Sequence, residues 1–159
     1  MILAVSLVLI TLLQSSARAI DLHAYWDDRC ADCHGHSAAF ARKFLTAKDG
    51  RLQGHDHVYD LQRFLMNHYL PPDMVAPVTA MLMAQVTTEP QFKERCGRCH
   101  ETAAALARKA LTLRDGVLID RATGKPTAEF LNGHQGVSAA EVPFFVGVLT
   151  RVTREVEGR

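Results

Sequence analysis

The sequence predicts an all-α fold of two tandem helical units, and three observations carry that reading. The chain matches itself without a gap when slid by 66 residues. Arg29 then falls on Arg95, Ala41-Arg42-Lys43 on Ala107-Arg108-Lys109, Leu45-Thr46 on Leu111-Thr112, and Asp49-Gly50 on Asp115-Gly116. Farther on, Leu52 meets Leu118, Phe64-Leu65-x-x-His68 meets Phe130-Leu131-x-x-His134, and Pro77 meets Pro143. Roughly twenty identities in about sixty aligned positions mark an internal duplication. Each copy carries the same short pattern near its start, Cys30-Ala31-Asp32-Cys33-His34 and Cys96-Gly97-Arg98-Cys99-His100. The segments that follow are rich in Ala, Leu, Lys and Arg, which are strong helix formers.

Residues 1–19 read as an export signal, with the mature chain starting near Ile20. The apolar run from Ile2 to Leu13 is short for a membrane span. It is followed by Ala17-Arg18-Ala19, a small-x-small cleavage site. The run departs from the usual leader in having no Lys or Arg ahead of it. No cysteine sits at the cleavage point, which argues against a lipid anchor. The two units then occupy residues 20–87 and 88–159, joined by a linker from Thr87 to Pro90. Removing the leader takes away Arg18 and no acidic side chain, so eighteen basic residues become seventeen, against seventeen acidic ones. A neutral chain gives no reason to expect nucleic acid or an anionic membrane as partner. Each unit is also small for building a good core unaided.

Each unit reads as helix, loop, helix, loop, helix. The segment from Leu22 to Cys30 leads into the first Cys-x-x-Cys-His pattern. Trp26 and Phe92 stand four residues before the first cysteine of each pattern, on that cysteine's face of a helix, where they pack inward. Helices are expected over Ser37 to Lys48 and Ala103 to Arg114, capped by Gly50 and Gly116. Their Arg42-Lys43 and Arg108-Lys109 pairs read mainly as solvated. Val117-Leu118-Ile119-Asp120, followed by Arg121-Ala122-Thr123-Gly124, reads as a small hairpin. The equivalent Gln53-Gly54-His55-Asp56 reads as simple loop. A short helix bearing Phe64-Leu65 or Phe130-Leu131 follows, with His68 or His134 about one turn later. The closing helices carry Val78, Leu82 and Val86 in the first unit. In the second, Val142, Phe145, Leu149 and Val152 form an apolar stripe behind the capping box Ser138-x-x-Glu141. Pro77 and Pro143 near their starts predict a kink or a delayed onset.

The paired patterns carry the chemistry. Cys-x-x-Cys-His is a covalent haem-attachment signature. Residues at i, i+3 and i+4 of a helical segment share a face, so two thiols can bond the porphyrin edge while the adjacent imidazole reaches the iron. Four cysteines in two pairs also suit a tetrahedral zinc site, redox-active dithiols or exported structural disulfides. None of those requires a histidine after each pair, and two such histidines in register favour haem. On these motifs the chain resembles dihaem c-type cytochromes. The resemblance implies two tandem cytochrome c-like helical units, each wrapped around a covalently attached haem, and attachment of those haems outside the cytoplasm. Cys30, Cys33, His34, Cys96, Cys99 and His100 are then the haem-binding residues, and the periplasm is the expected location.

A haem iron in an electron carrier usually takes a second axial ligand opposite the first. The second unit has no methionine, and beyond His100 its only histidine is His134. His36, His55, His57 and His68 are candidates in the first unit, but only His68 has a counterpart in the repeat. The expected iron ligands are therefore His34 with His68 and His100 with His134. Met74, after Pro71-Pro72, is the chief rival for the first haem and Met66 a weaker one. Asn132 and Ala140 align with these two methionines, so both read as packing residues. Nothing favours Lys125 as a ligand, and His36, His55 and His57 are left without assigned roles.

The order of attachment motif, distal ligand and closing helix resembles class I cytochromes c over essentially the whole mature chain. That resemblance implies a carrier of single electrons between redox partners, a donor and an acceptor, one of which is a membrane oxidoreductase complex in one version of the reading. The chain departs from the commonest members by offering histidine rather than methionine, which lowers the haem potential. No catalytic acid–base set stands beside either motif, so the chain reads as an electron-transfer protein and not an enzyme. The rival reading is a haem enzyme or gas sensor with one open iron, for which dihaem peroxidases, much longer chains, are the comparison. A cytochrome subunit of a larger oxidoreductase is the third.

Overall fold

The computed structural model describes residues 19–55 and 58–159; residues 1–18, where all but the last residue of the expected export signal falls, and Asp56 and His57 lie outside the described residues. The described residues are 59% helical and 12% strand, which corrects the all-α expectation to a mostly helical fold with two small sheets. Each half repeats one order of elements. In the first, α1 (Leu22–Arg29), α2 (Ala31–His34) and α3 (Ser37–Phe44) lead to β1 (Leu45–Lys48) and β2 (Arg51–Gly54), then α4 (Leu61–Leu65) and α5 (Pro72–Thr87). In the second, α6 (Gln91–Arg95), α7 (Gly97–His100) and α8 (Ala103–Ala110) lead to β3 (Leu111–Arg114) and β4 (Val117–Asp120). There α9 (Thr127–Leu131), a 3₁₀ turn (His134–Gly136) and α10 (Val142–Glu157) complete the unit.

The hairpins correct three expectations at once. Helices α3 and α8 stop at Phe44 and Ala110, four residues short of the expected ends at Lys48 and Arg114. The chain then runs on as strands, pairing Leu45 with Gly54 and Leu111 with Asp120 in antiparallel register. Asp49-Gly50 and Asp115-Gly116 are hairpin turns rather than helix caps. Their φ values of 49° and 72°, and of 50° and 79°, are positive at both central positions, as a type I′ turn requires. Gln53-Gly54 is accordingly strand, not loop, and Val117–Asp120 pairs backwards with Leu111–Arg114 while making a single forward bridge, Ile119 to Pro126, across the expected turn. Leu45 and Leu52 in the first hairpin, and Leu111, Leu113 and Leu118 in the second, point into the core. In the ribbons Leu52 pairs with Ala47, two residues on from Leu45, and Leu118 pairs with Leu113, two on from Leu111, so the period of two sets these leucines on one face.

Each half has its own core. Ala41, Leu45, Leu52, Val78, Met81 and Leu82 are among the buried residues of the first. Phe92, Leu111, Leu118, Leu131, Phe145 and Leu149 are among those of the second. Ala41 and Ala107, equivalent in the repeat, are both fully buried, which lets α3 approach α5 and α8 approach α10 closely. Val78 and Leu82, and Phe145, Leu149 and Val152, are buried as the apolar stripes predict. Pro77 sits inside α5 with no delay in the helix start, whereas Pro143 lies in the first turn of α10, where its missing N–H costs nothing. At the capping box the Ser138 N–H and hydroxyl both donate to Glu141 Oε2, at 2.9 and 2.7 Å, so the reciprocal half of the motif forms.

The halves are clasped by α1. Asp21 caps α1 by accepting from the His23 and Ala24 N–H groups, and it also receives Arg108 Nε and Nη2 from α8 at 2.6 and 3.0 Å. Two residues on, buried His23 Nε2 lies 2.8 Å from Glu155 of α10, which Arg151 also holds. A cavity of about 240 Å³ follows this seam, with Gln85, Phe92 and Val152 in its wall.

Candidate functional site

Helices α1 and α2 meet at a right-sized step for a tight motif. The Cys30 N–H donates to the Trp26 carbonyl at 2.8 Å, and the His34 N–H donates to the Cys30 carbonyl at 2.9 Å. The second half repeats both bonds, Cys96 to Phe92 at 2.8 Å and His100 to Cys96 at 2.9 Å. Each motif is thus one short helical turn, which puts its two cysteines and its histidine on one side. All four thiols are free; Cys33 and Cys99 are exposed, and Cys30 and Cys96 are half-buried against the cores. Burial pushes the Cys30 and Cys96 thiols up from their ordinary value, so both are held as neutral thiols.

The second histidine of each half arrives just after a short helix. In the first, α4 ends at Leu65 and a turn, closed by the His68 N–H donating to the Leu65 carbonyl at 3.1 Å, brings His68 round. In the second, Gly133 at φ 83° reverses the chain and His134 opens the 3₁₀ turn. The result is the same in both. The His34 and His68 rings face each other with centroids 5.9 Å apart, and the His100 and His134 rings with centroids 6.2 Å apart. Phe64 stacks on His68 at 4.7 Å, and Phe130 lies against His134 at 4.5 Å. Burial, and secondarily the facing His68, hold the His34 imidazole below its ordinary pKa and therefore neutral, the form that binds a metal.

Apolar surface surrounds both imidazole pairs. Phe64 is 43% exposed and Phe130 61%, although each belongs to the wall beside its histidine. A cavity of about 300 Å³ in the second half is lined by Cys96, Cys99, His100, Phe130, His134 and Leu149. The arrangement can therefore hold a flat apolar group between two imidazoles, with two thiols at its edge. Among the described residues no three His, Cys, Asp or Glu side chains gather into one cluster.

The other sequence candidates lie elsewhere. Met74 is buried in the first core and Met66 is exposed. His36 caps α3, its Nδ1 accepting from the Ala38 N–H at 3.3 Å, while Thr102 does the same work for α8. His55 is exposed in the loop after β2. Sequence reading overlooked His23, whose apolar neighbours Leu22 and Ala24 and position in α1 give no hint of its partner 132 residues away. No helix among the described residues is long and apolar enough to cross a membrane. Compared with protein-family models, with curated proteins and with solved structures, the chain finds no match.

Proposed function

We propose that the protein is an exported dihaem cytochrome c that carries single electrons between a redox donor and acceptor. The observation that carries this reading is the facing pair of histidines in each half. Two metal–imidazole bonds of about 2 Å on opposite sides of one iron, plus about 1 Å from each nitrogen to its ring centre, require centroids roughly 6 Å apart. The separations in the structure are 5.9 and 6.2 Å. The residues fit the group in two further ways. Two cysteines stand in the same helical turn as each motif histidine, and the flanking phenylalanines are left uncovered.

Cys30 and Cys33, and Cys96 and Cys99, would hold the two haems by thioether bonds. His34 and His68 would bind the first iron, and His100 and His134 the second. When bound, each haem supplies a one-electron ferric–ferrous couple. The chain would supply two imidazoles to each iron, with His34 held neutral by burial, would close the iron to small molecules with them and would set apolar side chains against the macrocycle. Two imidazoles, without methionine, set a low potential. The periplasm is the proposed location, with a membrane oxidoreductase as one candidate partner.

The test is the mass and optical spectrum of protein made in a host that attaches c-type haem. Two haems per chain, and a reduced spectrum unchanged by carbon monoxide, are expected. A chain without haem sinks the reading. A carbon monoxide shift in half of the signal turns it toward a haem enzyme or sensor with one open iron.

A further inference from the structure

We infer that Trp26 is a positioning residue for the first iron, acting through the carbonyl of Gly35, the residue after His34, and that the second iron lacks such a restraint. The inference rests on the haem reading above. Trp26 holds both ends of its motif. Its carbonyl accepts from the Cys30 N–H at 2.8 Å, and its indole Nε1–H donates to the Gly35 carbonyl at 2.8 Å. The Gly35 carbonyl belongs to the residue next to the ligand, so fixing it fixes the backbone from which the His34 ring projects. The indole also lies beside that ring, with centroids 6.1 Å apart, and Phe40 meets the same ring edge-on at 4.7 Å. The Trp26 end of this bond is buried and the Gly35 end is exposed, so the bond is partly sheltered from water.

Gly35 makes this bond possible. Its φ of 67° and ψ of −160° lie in a region open essentially to glycine alone. That turn directs its carbonyl back toward α1. The second half differs at both positions. Phe92 replaces Trp26 and has no donor, and Glu101 replaces Gly35, with φ 57° and ψ −85°. Phe92 keeps the backbone bond to Cys96 at 2.8 Å but cannot make the second one. One motif is stapled at both ends and the other at one end only. The same two imidazoles are therefore held with different stiffness, and the first iron keeps its histidines more firmly against a competing ligand.

The experiment replaces Trp26 in the holoprotein by benzothienylalanine, which keeps the bicyclic shape and puts sulfur where the N–H stood. Trp26→Phe, which copies the second half, is made in parallel. Exogenous imidazole is titrated against the oxidised protein, and the low-spin electron paramagnetic resonance signals of the two haems are followed separately. The benzothienyl variant should bind imidazole about fivefold more readily at one haem, with an altered signal for that haem alone, because one partly buried hydrogen bond is lost. Trp26→Phe should reproduce the change. Wild-type binding and unchanged signals in the benzothienyl variant would overturn the inference and leave the haem reading intact. A wild-type chain that carries no haem overturns both, so the two failures are told apart.

Discussion

The two imidazole pairs stand on the same scaffold and against different walls. In the first half His34 belongs to a run of rings, with Phe40 at 4.7 Å, Trp26 at 6.1 Å and Phe44 tilted against Phe40 at 5.4 Å. In the second half Leu106 and Ala110 stand where Phe40 and Phe44 do, and the cavity beside His100 is lined by aliphatic side chains as well as Phe130 and Phe145. What the halves share is the hairpin, the phenylalanine against the second histidine, and the spacing that brings the two rings to about 6 Å. What they do not share is how the motif loop is tied down. Duplication has kept the geometry of the histidine pair and let its surroundings drift.

The largest effect should come from removing the second histidine of either pair. His68→Ala and His134→Ala each leave one iron with a single protein ligand. Each variant should bind carbon monoxide at half of the reduced haem, with a raised potential for that centre. An unchanged spectrum in His134→Ala would remove His134 from the ligand set. The two variants also break the comparison cleanly, because each opens one wall and leaves the other closed.

Next in size is the loss of a core. Phe145 is 1% exposed and sits in the second core only. Phe145→Ala should cost about 3–5 kcal/mol. Amide exchange should quicken over the second half before the first, since the first core contains none of its contacts. Equal loss of protection across both halves would mean that the clasp made by α1 couples them into one folding unit.

That clasp gives a smaller effect and a pH dependence. Burial raises the Asp21 carboxyl, but the Arg108 guanidinium and the Ala24 N–H outweigh it and hold the group below its ordinary value of 3.8. A lowered folded-state pKa means that the carboxylate stabilises the fold fully above the ordinary value. That contribution drains away as pH falls below 3.8 through the folded-state pKa. Asp21→Ala removes a helix cap and a partly exposed ion pair, about 2 kcal/mol together. Its stability should fall less steeply than wild type in acid, as measured by denaturant unfolding at pH 7 and pH 3.

Much of this was legible in the chain. The repeat marked the two units, the apolar stripes marked α5 and α10, and the register of His68 with His134 singled out the two residues that the fold brings opposite the motif histidines. Two things were hidden. The hairpins were hidden because Leu-Thr-Ala-Lys and Leu-Thr-Leu-Arg continue a helix-forming run, and Asp-Gly was weighed as a helix stop rather than as the strongest short hairpin signal. The pairing of His23 with Glu155 was hidden because it is a contact between the halves, and a repeat reports only what each half does within itself.

The smallest expected effect tests that hairpin symmetry directly. Gly50 and Gly116 are the second turn residues, at φ 72° and 79°, and a Cβ at either would meet nothing within 4 Å. The cost of alanine there is therefore backbone conformation alone, about 1 kcal/mol. Gly50→Ala and Gly116→Ala should destabilise equally, each detectable as a small drop in the denaturant midpoint with the slope unchanged. Unequal losses would locate a difference between the hairpins that their matched dihedrals do not contain. The candidate is the packing of the second ribbon, where Thr112 Oγ1 donates to Glu157 at 2.8 Å and Arg159 Nη1 to the Leu113 carbonyl at 3.4 Å. In that case Gly116→Ala should lose less than Gly50→Ala, because α10 and its tail hold the second hairpin in place when its turn is strained.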